Sequence, residues 1–377
     1  MNNNNDLKDL AKLFLKLGII GFGGPAAHIA MMQKEVVTEK KWLTDQEFLD
    51  LIGATNLIPG PNSTEMAIHI GREKAGWKGL IVAGLCFILP AVIITAAFAW
   101  LYKEYGLLPE VQPFIYGIKP AIIAIILGAV FPLAKKSVKT FRLAVIGGMV
   151  LTCSLLKINE IGLMFGAGLL TLTIDYLQKN NFKKLNNIIF IGPLQFLLSD
   201  TYSLLNLKLF WIFLKIGAIL YGSGYVLFAF LDTELVSRGI ITRQELIDAI
   251  AVGQFTPGPV FSSVTFVGYQ INGLSGALVS TLAIFLPSFI LVAVSGPFVN
   301  KMRNSATFSS FLNGVNVASI AIIMSVCITM GIDSITDWKT TLITCISTAV
   351  VFGLKKLNSA FVVIGGALLG FLLSFLS

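Results

Sequence analysis

Charge is scarce in this chain. Of its 377 residues, 28 are Lys or Arg and 20 are Asp or Glu, 13% together, where a soluble domain carries roughly a quarter. Hydrophobic residues make up 55%. That balance excludes an ordinary soluble enzyme and defines a polytopic membrane protein whose solvent is the lipid bilayer. Histidine is nearly missing, with two residues, and the four cysteines, Cys86, Cys153, Cys327 and Cys345, stand singly in apolar segments. With no CxxC pair, the cysteines read as small buried apolar groups. The chain also lacks a GxxxxGK[ST] phosphate loop, an HExxH pair and a G-x-S-x-G elbow. These absences argue against ATP-driven transport within the chain and against the common hydrolase chemistries. No cofactor and no metal is expected. The net charge of +8 lies in short loops between apolar runs, without interleaved aromatics, so no nucleic-acid partner is expected either. The polar start, Met1 to Asp6, is followed by a run carrying Lys8, Lys12 and Lys16, which does not resemble a signal peptide.

What the chain does contain is a broken helix, twice. Asn56-Leu57-Ile58-Pro59-Gly60-Pro61-Asn62-Ser63-Thr64-Glu65 has an echo at Gln254-Phe255-Thr256-Pro257-Gly258-Pro259-Val260-Phe261-Ser262-Ser263. Two prolines around a glycine cannot continue a helix, because each lacks an N–H and clashes with the preceding turn. A break at membrane depth is tolerated only where protein or water satisfies the freed backbone. Paired breaks in matching places point to the binding site of a transporter.

The echo is part of a repeat. Phe14-Leu15-Lys16-Leu17-Gly18 recurs as Phe213-Leu214-Lys215-Ile216-Gly217, an offset of 213 − 14 = 199. Thr44-Asp45-Gln46-Glu47, a helix-capping box, recurs as Thr242-Arg243-Gln244-Glu245. The breaks are offset by 257 − 59 = 198, and Gly71, Gly76, Gly79 and Pro90 match Gly268, Gly273, Gly276 and Pro287 at 268 − 71 = 197. The expected fold is therefore all-α, with a first membrane repeat over 1–178, a linker over 179–206 and a second repeat over 207–377. A polar connector is expected from Gln33 to Thr44. Ile188–Leu205 in the linker is either an extra span or an interfacial connector. Loop charge reverses between the halves. Lys135, Lys136, Lys139 and Arg142 face Asp333, Asp337 and a single Lys339, whereas Lys301, Arg303, Lys355 and Lys356 face acidic or mixed counterparts. Under the positive-inside rule the halves have opposite orientation, an inverted-topology repeat. An odd number of crossings is then required. An extra linker span supplies it, and so does a Pro-Gly-Pro segment that re-enters rather than crosses.

Gly21-Phe22-Gly23-Gly24-Pro25-Ala26-Ala27-His28, the acidic helix ending in Pro59-Gly60-Pro61, and their second copies at Tyr221-Gly222-Ser223-Gly224-Tyr225 and Thr256-Pro257-Gly258-Pro259 resemble the signatures of the chromate ion transporter family in its long form with two fused halves. The resemblance covers nearly the whole chain apart from the linker. It implies export of chromate, a tetrahedral dianion similar to sulfate, through a multi-pass protein of the cell membrane.

Each candidate residue has a functional and a bland reading. A helix starting after each break presents a positive end suited to an oxyanion, with Asn62, Ser63 and Thr64 as extra donors in one copy and Ser262 and Ser263 in the other. The bland reading is a packing kink. Gly23, Gly24, Gly222, Ser223 and Gly224 form either a second pair of breaks facing the site or close-packing positions. Asn56 and Gln254, just before the breaks, are amides suited to substrate or to freed backbone. Lys16 and Lys215 are counter-charges for a dianion or span-end lysines reaching the headgroups. Arg72 would bind an oxyanion bidentately or serve as a loop cation. Glu47 and Glu245 read as caps, while Asp50 and Asp248 lie a turn deeper. Glu65, His28 and His69 occur only in the first half, where an asymmetric titratable group is suited to ion coupling. The competing functions are a carrier or channel for another small anion, and an intramembrane enzyme or scaffold. Inverted-repeat folds often pair as homodimers, so a second copy is the expected protein partner.

Overall fold

The structure, a computed structural model, describes residues 3–22, 24–106, 108–178, 205–221, 224–303, 305–354 and 358–375. The first half holds α1 (Asn3–Ile20), α2 (Gly24–Gln33), α3 (Asp45–Thr55), α4 (Asn62–Tyr105), α5 (Gln112–Ser137), α6 (Phe141–Leu155) and α7 (Glu160–Gln178). The second repeats them as α8 (Leu205–Ile219), α9 (Val226–Leu231), α10 (Arg243–Phe255), α11 (Ser263–Arg303), α12 (Ala306–Ser334), α13 (Trp338–Gly353) and α14 (Ser359–Ser374). Among the described residues there is no strand. The Ile188–Leu205 stretch lies outside the described residues up to its last position. One expectation is corrected. The polar connector after α2 is helical over Lys34–Glu39, where a π-helical turn buries Val36 and Glu35. The second half has the same turn at Asp232–Val236. The apolar Val36 joins a core of first-half residues, and Leu235 joins the large core built from both halves, which a polar count cannot foresee.

Both capping boxes form. Thr44 accepts from the Glu47 N–H and Thr242 from the Glu245 N–H, with each glutamate bonding back. They fix the start of α3 and α10, which lead into the breaks. At each break the chain turns rather than kinks. A methyl on Gly253 would lie 2.9 Å from the Ser263 Cβ, whereas ten residues of continuous helix would separate them by about 15 Å. In the first half Asn62 Nδ2 donates to Asn56 Oδ1 across the turn, at 2.8 Å.

A second reversal follows inside α4 and α11. Gly76 (φ +60°, ψ −146°) and Gly273 (φ +57°, ψ −149°) interrupt the helices, in backbone conformations that only glycine adopts cheaply. Beyond the turn the arms run back to back, with Gly71 against the Gly79 carbonyl and Gly268 against the Gly276 carbonyl. The short arms are 62–74 and 263–271. The long arms, 77–105 and 274–303, are long enough to cross a bilayer.

The halves interlock reciprocally. The outer helix α1 packs on α4 and α8 on α11, and α4 packs on α11. The later helices exchange partners. In the first half α5 lies against α13 and α14, and in the second α12 lies against α6 and α7. Small residues permit this: Gly117 meets the backbone of Gly366 and Gly370, and Gly314 meets the Ala167 carbonyl. In a membrane, where hydrophobic burial does not drive helices together, such close backbone contact supplies the packing energy. The outer faces stay apolar. Trp77, Ile81, Leu85, Leu89 and Ile93 are exposed along α4 at four-residue spacing, and Leu274, Leu278, Leu282 and Ile290 along α11. Matching apolar stripes of that length, on both long arms, fit lipid and not water.

Candidate functional site

The four breaks meet. The Gly60 N–H donates to the Leu220 carbonyl at 2.8 Å, and the Gly258 N–H donates to the Gly21 carbonyl at 2.7 Å. Leu220 and Gly21 end α8 and α1 where the glycine stretches begin, and they are equivalent, since 220 − 21 = 199. Each Pro-Gly-Pro tip is therefore seated on the glycine break of the other half. The long arms complete the seats. Gly60 (φ +137°) faces Ser288 of α11 and its own Glu65, and Gly258 (φ +92°) faces Ala91 of α4. Both glycines have backbone angles that an L side chain rarely adopts. Ser288 and Ala91 follow Pro287 and Pro90, the prolines within the long arms.

Pro59, Gly60, Pro61, Ser63, Thr64 and Glu65 are buried, as are Pro257, Gly258, Pro259, Ser262 and Ser263. Asn62 is half-buried, and its bond to exposed Asn56 lies at the rim of the turn. The N–H groups of Thr64 and Glu65 bond to the Pro61 carbonyl. On the other side the Ser262 hydroxyl accepts from Thr95 at 3.3 Å. The Gln254 Oε1 is 3.4 Å from the Tyr225 hydroxyl, and its Nε2 has no partner. Several buried polar atoms are unbonded: Thr64 Oγ1, Ser263 Oγ, Ser288 Oγ and both carboxyl oxygens of Glu65. Unsatisfied polar groups are rare in protein interiors. They gather around the tips, while others lie apart from them at Asp232, Arg243, Ser280 and Ser334. Gly24 takes φ +79° at the start of α2, and Gly224 lies near Phe261 and Val260 of the second tip. Gly23, Gly222 and Ser223 lie outside the described residues.

The two lysines are not free cations. Lys16 Nζ pairs with Glu35 at 2.5 Å, and Lys215 pairs with Glu234, which also takes Arg238 at 2.9 Å. Glu35 and Glu234 are absent from the sequence-level candidates. The signal was present, as a Lys-to-Glu spacing of 35 − 16 = 19 and 234 − 215 = 19 in the two copies. Arg72 makes no ion pair among the described residues. It donates to the Val292 carbonyl of α11 at 2.5 Å and stacks on Trp77. Glu65, His69 and Arg72 fall at i, i+4 and i+7, one face of the short arm of α4, and Ser288 and Val292 show that this face abuts α11. His28 is buried, with Nε2 2.9 Å from the Gly21 carbonyl. Only donation fits that contact, so the ring proton is on Nε2. The Gly21 oxygen thus serves both His28 and the second tip. Asp50 takes a bond from Gln46 at 3.0 Å, while buried Asp248 takes one from Tyr102 at 2.6 Å and two from Gln244. Among the described residues no cluster of His, Cys, Asp and Glu is arranged to hold a metal.

Two homologous helical halves, locked together through paired helix breaks and belted by apolar stripes, define a multi-pass membrane transporter and not an enzyme. Comparison with known proteins gives the family. The chromate transporter model matches residues 8–172 and again 207–371. A probable chromate transport protein of Synechococcus elongatus is 32% identical, over 97% of this chain and 95% of its own. The chromate transport protein of Cupriavidus metallidurans is 32% identical, over 97% and 92%. An uncharacterized transporter of Methanocaldococcus jannaschii is 26% identical, over 98% and 95%. No solved structure matches. The chain belongs to the chromate transporter family, in the form that carries both halves in one polypeptide.

Proposed function

We propose that the protein exports chromate, or a similar tetrahedral oxyanion, across the cell membrane by alternating access. The observation that carries this reading is the reciprocal seating of each Pro-Gly-Pro tip on the other half's glycine break. With both tips seated, Ser63, Thr64, Glu65, Gln254, Ser262 and Ser263 are buried, so an ion reaches them only when the halves move. Breaking one N–H···O=C tie frees a backbone donor at a helix start, the kind of group that binds an oxyanion. Because the ties are equivalent but belong to opposite halves, releasing one or the other exposes the same ion to opposite sides. Arg72, without a carboxylate partner among the described residues and near the far end of the first tip's short arm, is the counter-charge in this scheme. The lysines instead hold their own halves together. A homodimer remains the assembly we propose for the membrane.

The test is flux of labelled chromate and sulfate into vesicles containing the purified protein. Saturation and counterflow mark a carrier, and flux without either marks a channel. Absence of flux of any oxyanion by the wild-type protein, or flux undiminished in Gly60→Leu, removes the proposal.

A further inference from the structure

Glu65 is a buried acid with no cation paired to it among the described residues. Its side chain is fully buried, and neither carboxyl oxygen has a hydrogen-bond partner. It lies in the first turn of α4, five residues past Gly60, and a methyl on Gly60 would collide with its carboxyl group. It is therefore inside the tip, at the positive end of the helix where an incoming anion would go. The equivalent position in the second half is Ser263, also buried and unbonded. The carboxyl group is thus not something the fold requires.

We propose that Glu65 makes the oxyanion and a proton travel together. This rests on the transport reading above and specifies its coupling. Two negative groups cannot share a dry site, because their repulsion is unscreened and an unpaired buried charge costs many kcal/mol. A dianion can settle at the α4 start only when Glu65 is the neutral acid. When the anion leaves, Glu65 gives its proton to water on the same side, and as the carboxylate it can take the place of the anion at the helix start. One proton and one dianion thus move in the same direction, and one net negative charge crosses per cycle.

The groups facing Glu65 are consistent with that role. From α11 it meets Ser288, a neutral hydroxyl. Just past the end of α8, the neutral Tyr221 hydroxyl is the titratable group near it. Around the neighbouring positions Met66, Ala67 and Ile70, α1 and α3 supply the apolar Leu10, Leu13, Phe14, Leu17 and Phe48, and α2 brings His28 against Phe87 of α4. Along its own helix lie His69, buried with Nε2 unbonded, and Arg72, half-buried and free of carboxylate partners among the described residues. His69 continues the polar face away from the tip and is the group there able to take and give a proton, whereas Arg72 stays charged and supplies no step of that route.

Proton movement during oxyanion flux tests the proposal. In vesicles holding a pH indicator and the wild-type protein, chromate entry is expected to acidify the lumen, with about one proton per dianion. In Glu65→Gln, the residual chromate flux is expected to carry no proton and to lose its dependence on the pH gradient. Glu65→Ser, which copies the second half, is expected to behave in the same way and covers the case in which the amide variant does not fold. Proton uptake on chromate binding by the wild-type protein, measured by calorimetry in buffers of different ionisation enthalpy, needs no variant. Wild-type flux without proton movement, or full proton coupling in either variant, overturns the proposal while leaving transport intact. Absence of wild-type flux overturns transport and this proposal with it.

Discussion

The two tips share a backbone and differ in chemistry. Each is a Pro-Gly-Pro turn with a left-handed glycine, tied to the other half by one N–H···O=C bond and followed by a short arm that folds back at a glycine. The first tip then carries Glu65, His69 and Arg72 on one face and meets Ser288. The second carries Ser263 and Val267 and meets Ala91. Where the first arm docks on α11 through the Arg72 guanidinium, the second docks on α4 through the neutral Gln270, whose Nε2 bonds to the Ala99 carbonyl at 2.9 Å. Symmetry thus belongs to the backbone of the tips, and the charged side chains beside a tip belong to the first half. In the alternating-access scheme proposed above, two equivalent tips serve the two sides and one set of ionisable groups suffices.

Substitution at the tips tests that contrast most severely. Alanine at either glycine incurs about 1–3 kcal/mol of backbone strain. In Gly60→Ala the new methyl also runs into the Glu65 carboxyl and lies 2.7 Å from Ser288 Oγ, whereas in Gly258→Ala it meets only the Ala91 methyl, at 2.8 Å. Gly60→Ala is expected to abolish flux and to lower the melting temperature in detergent more than Gly258→Ala does. Adding Glu65→Ala should restore part of the lost stability. A larger loss in Gly258→Ala would break the contrast.

The paired lysines come next, and here the second half is the better protected. Lys16→Met leaves Glu35 without its ion-pair partner and should lower the melting temperature. Lys215→Met should cost less although Glu234 is more deeply buried, because Arg238 stays at 2.9 Å. Double-mutant cycles with Glu35→Gln and Glu234→Gln would measure the two couplings, and equal values would contradict the arrangement seen.

The capping boxes serve as the symmetric control. Thr44→Ala and Thr242→Ala each remove a cap and should each destabilise by about 1 kcal/mol. A marked difference between them would mean that α3 and α10 are not equivalent supports. The smallest effect is expected at Asp337, before α13. The Tyr116 hydroxyl and the Thr340 N–H hold its carboxyl below the usual range. A depressed carboxyl contributes stability that is present above its unfolded value and lost as the pH falls through its folded value. Tyr116→Phe should therefore lower the melting temperature slightly near neutral pH and have no effect in acid below that range.

Much of this was legible in the sequence because repetition was legible. Matched Pro-Gly-Pro turns and capping boxes located the breaks and the helix starts, since glycine and proline act locally on the backbone, while Gly76 and Gly273 showed as repeated glycines and not as turns. What escaped was long-range. Nothing local says that Gly60 bonds to Leu220 rather than to the glycine stretch of its own half, or that α5 belongs with α13 and α14. Glu65 stood out only as an asymmetry between the halves, and its burial had to be seen. Lys16 and Lys215 read as free cations because their partners lie in a stretch whose polar composition hid a buried turn. The identical 19-residue Lys-to-Glu spacing in both copies is the pattern that finds such pairs.

The exchange of α5 and α12 between the halves also governs how the protein is made. Gly117 of α5 rests on Gly366 and Gly370 of α14, so the small-residue groove on α5 is finished long before its occupant exists. The separation is 366 − 117 = 249 residues, and at roughly 5–20 residues/s of synthesis the wait is about 12–50 s. Throughout that interval the Gly117 surface of α5 is without its helical partner. The first half is therefore a provisional structure during biogenesis, completed only when α14 is inserted.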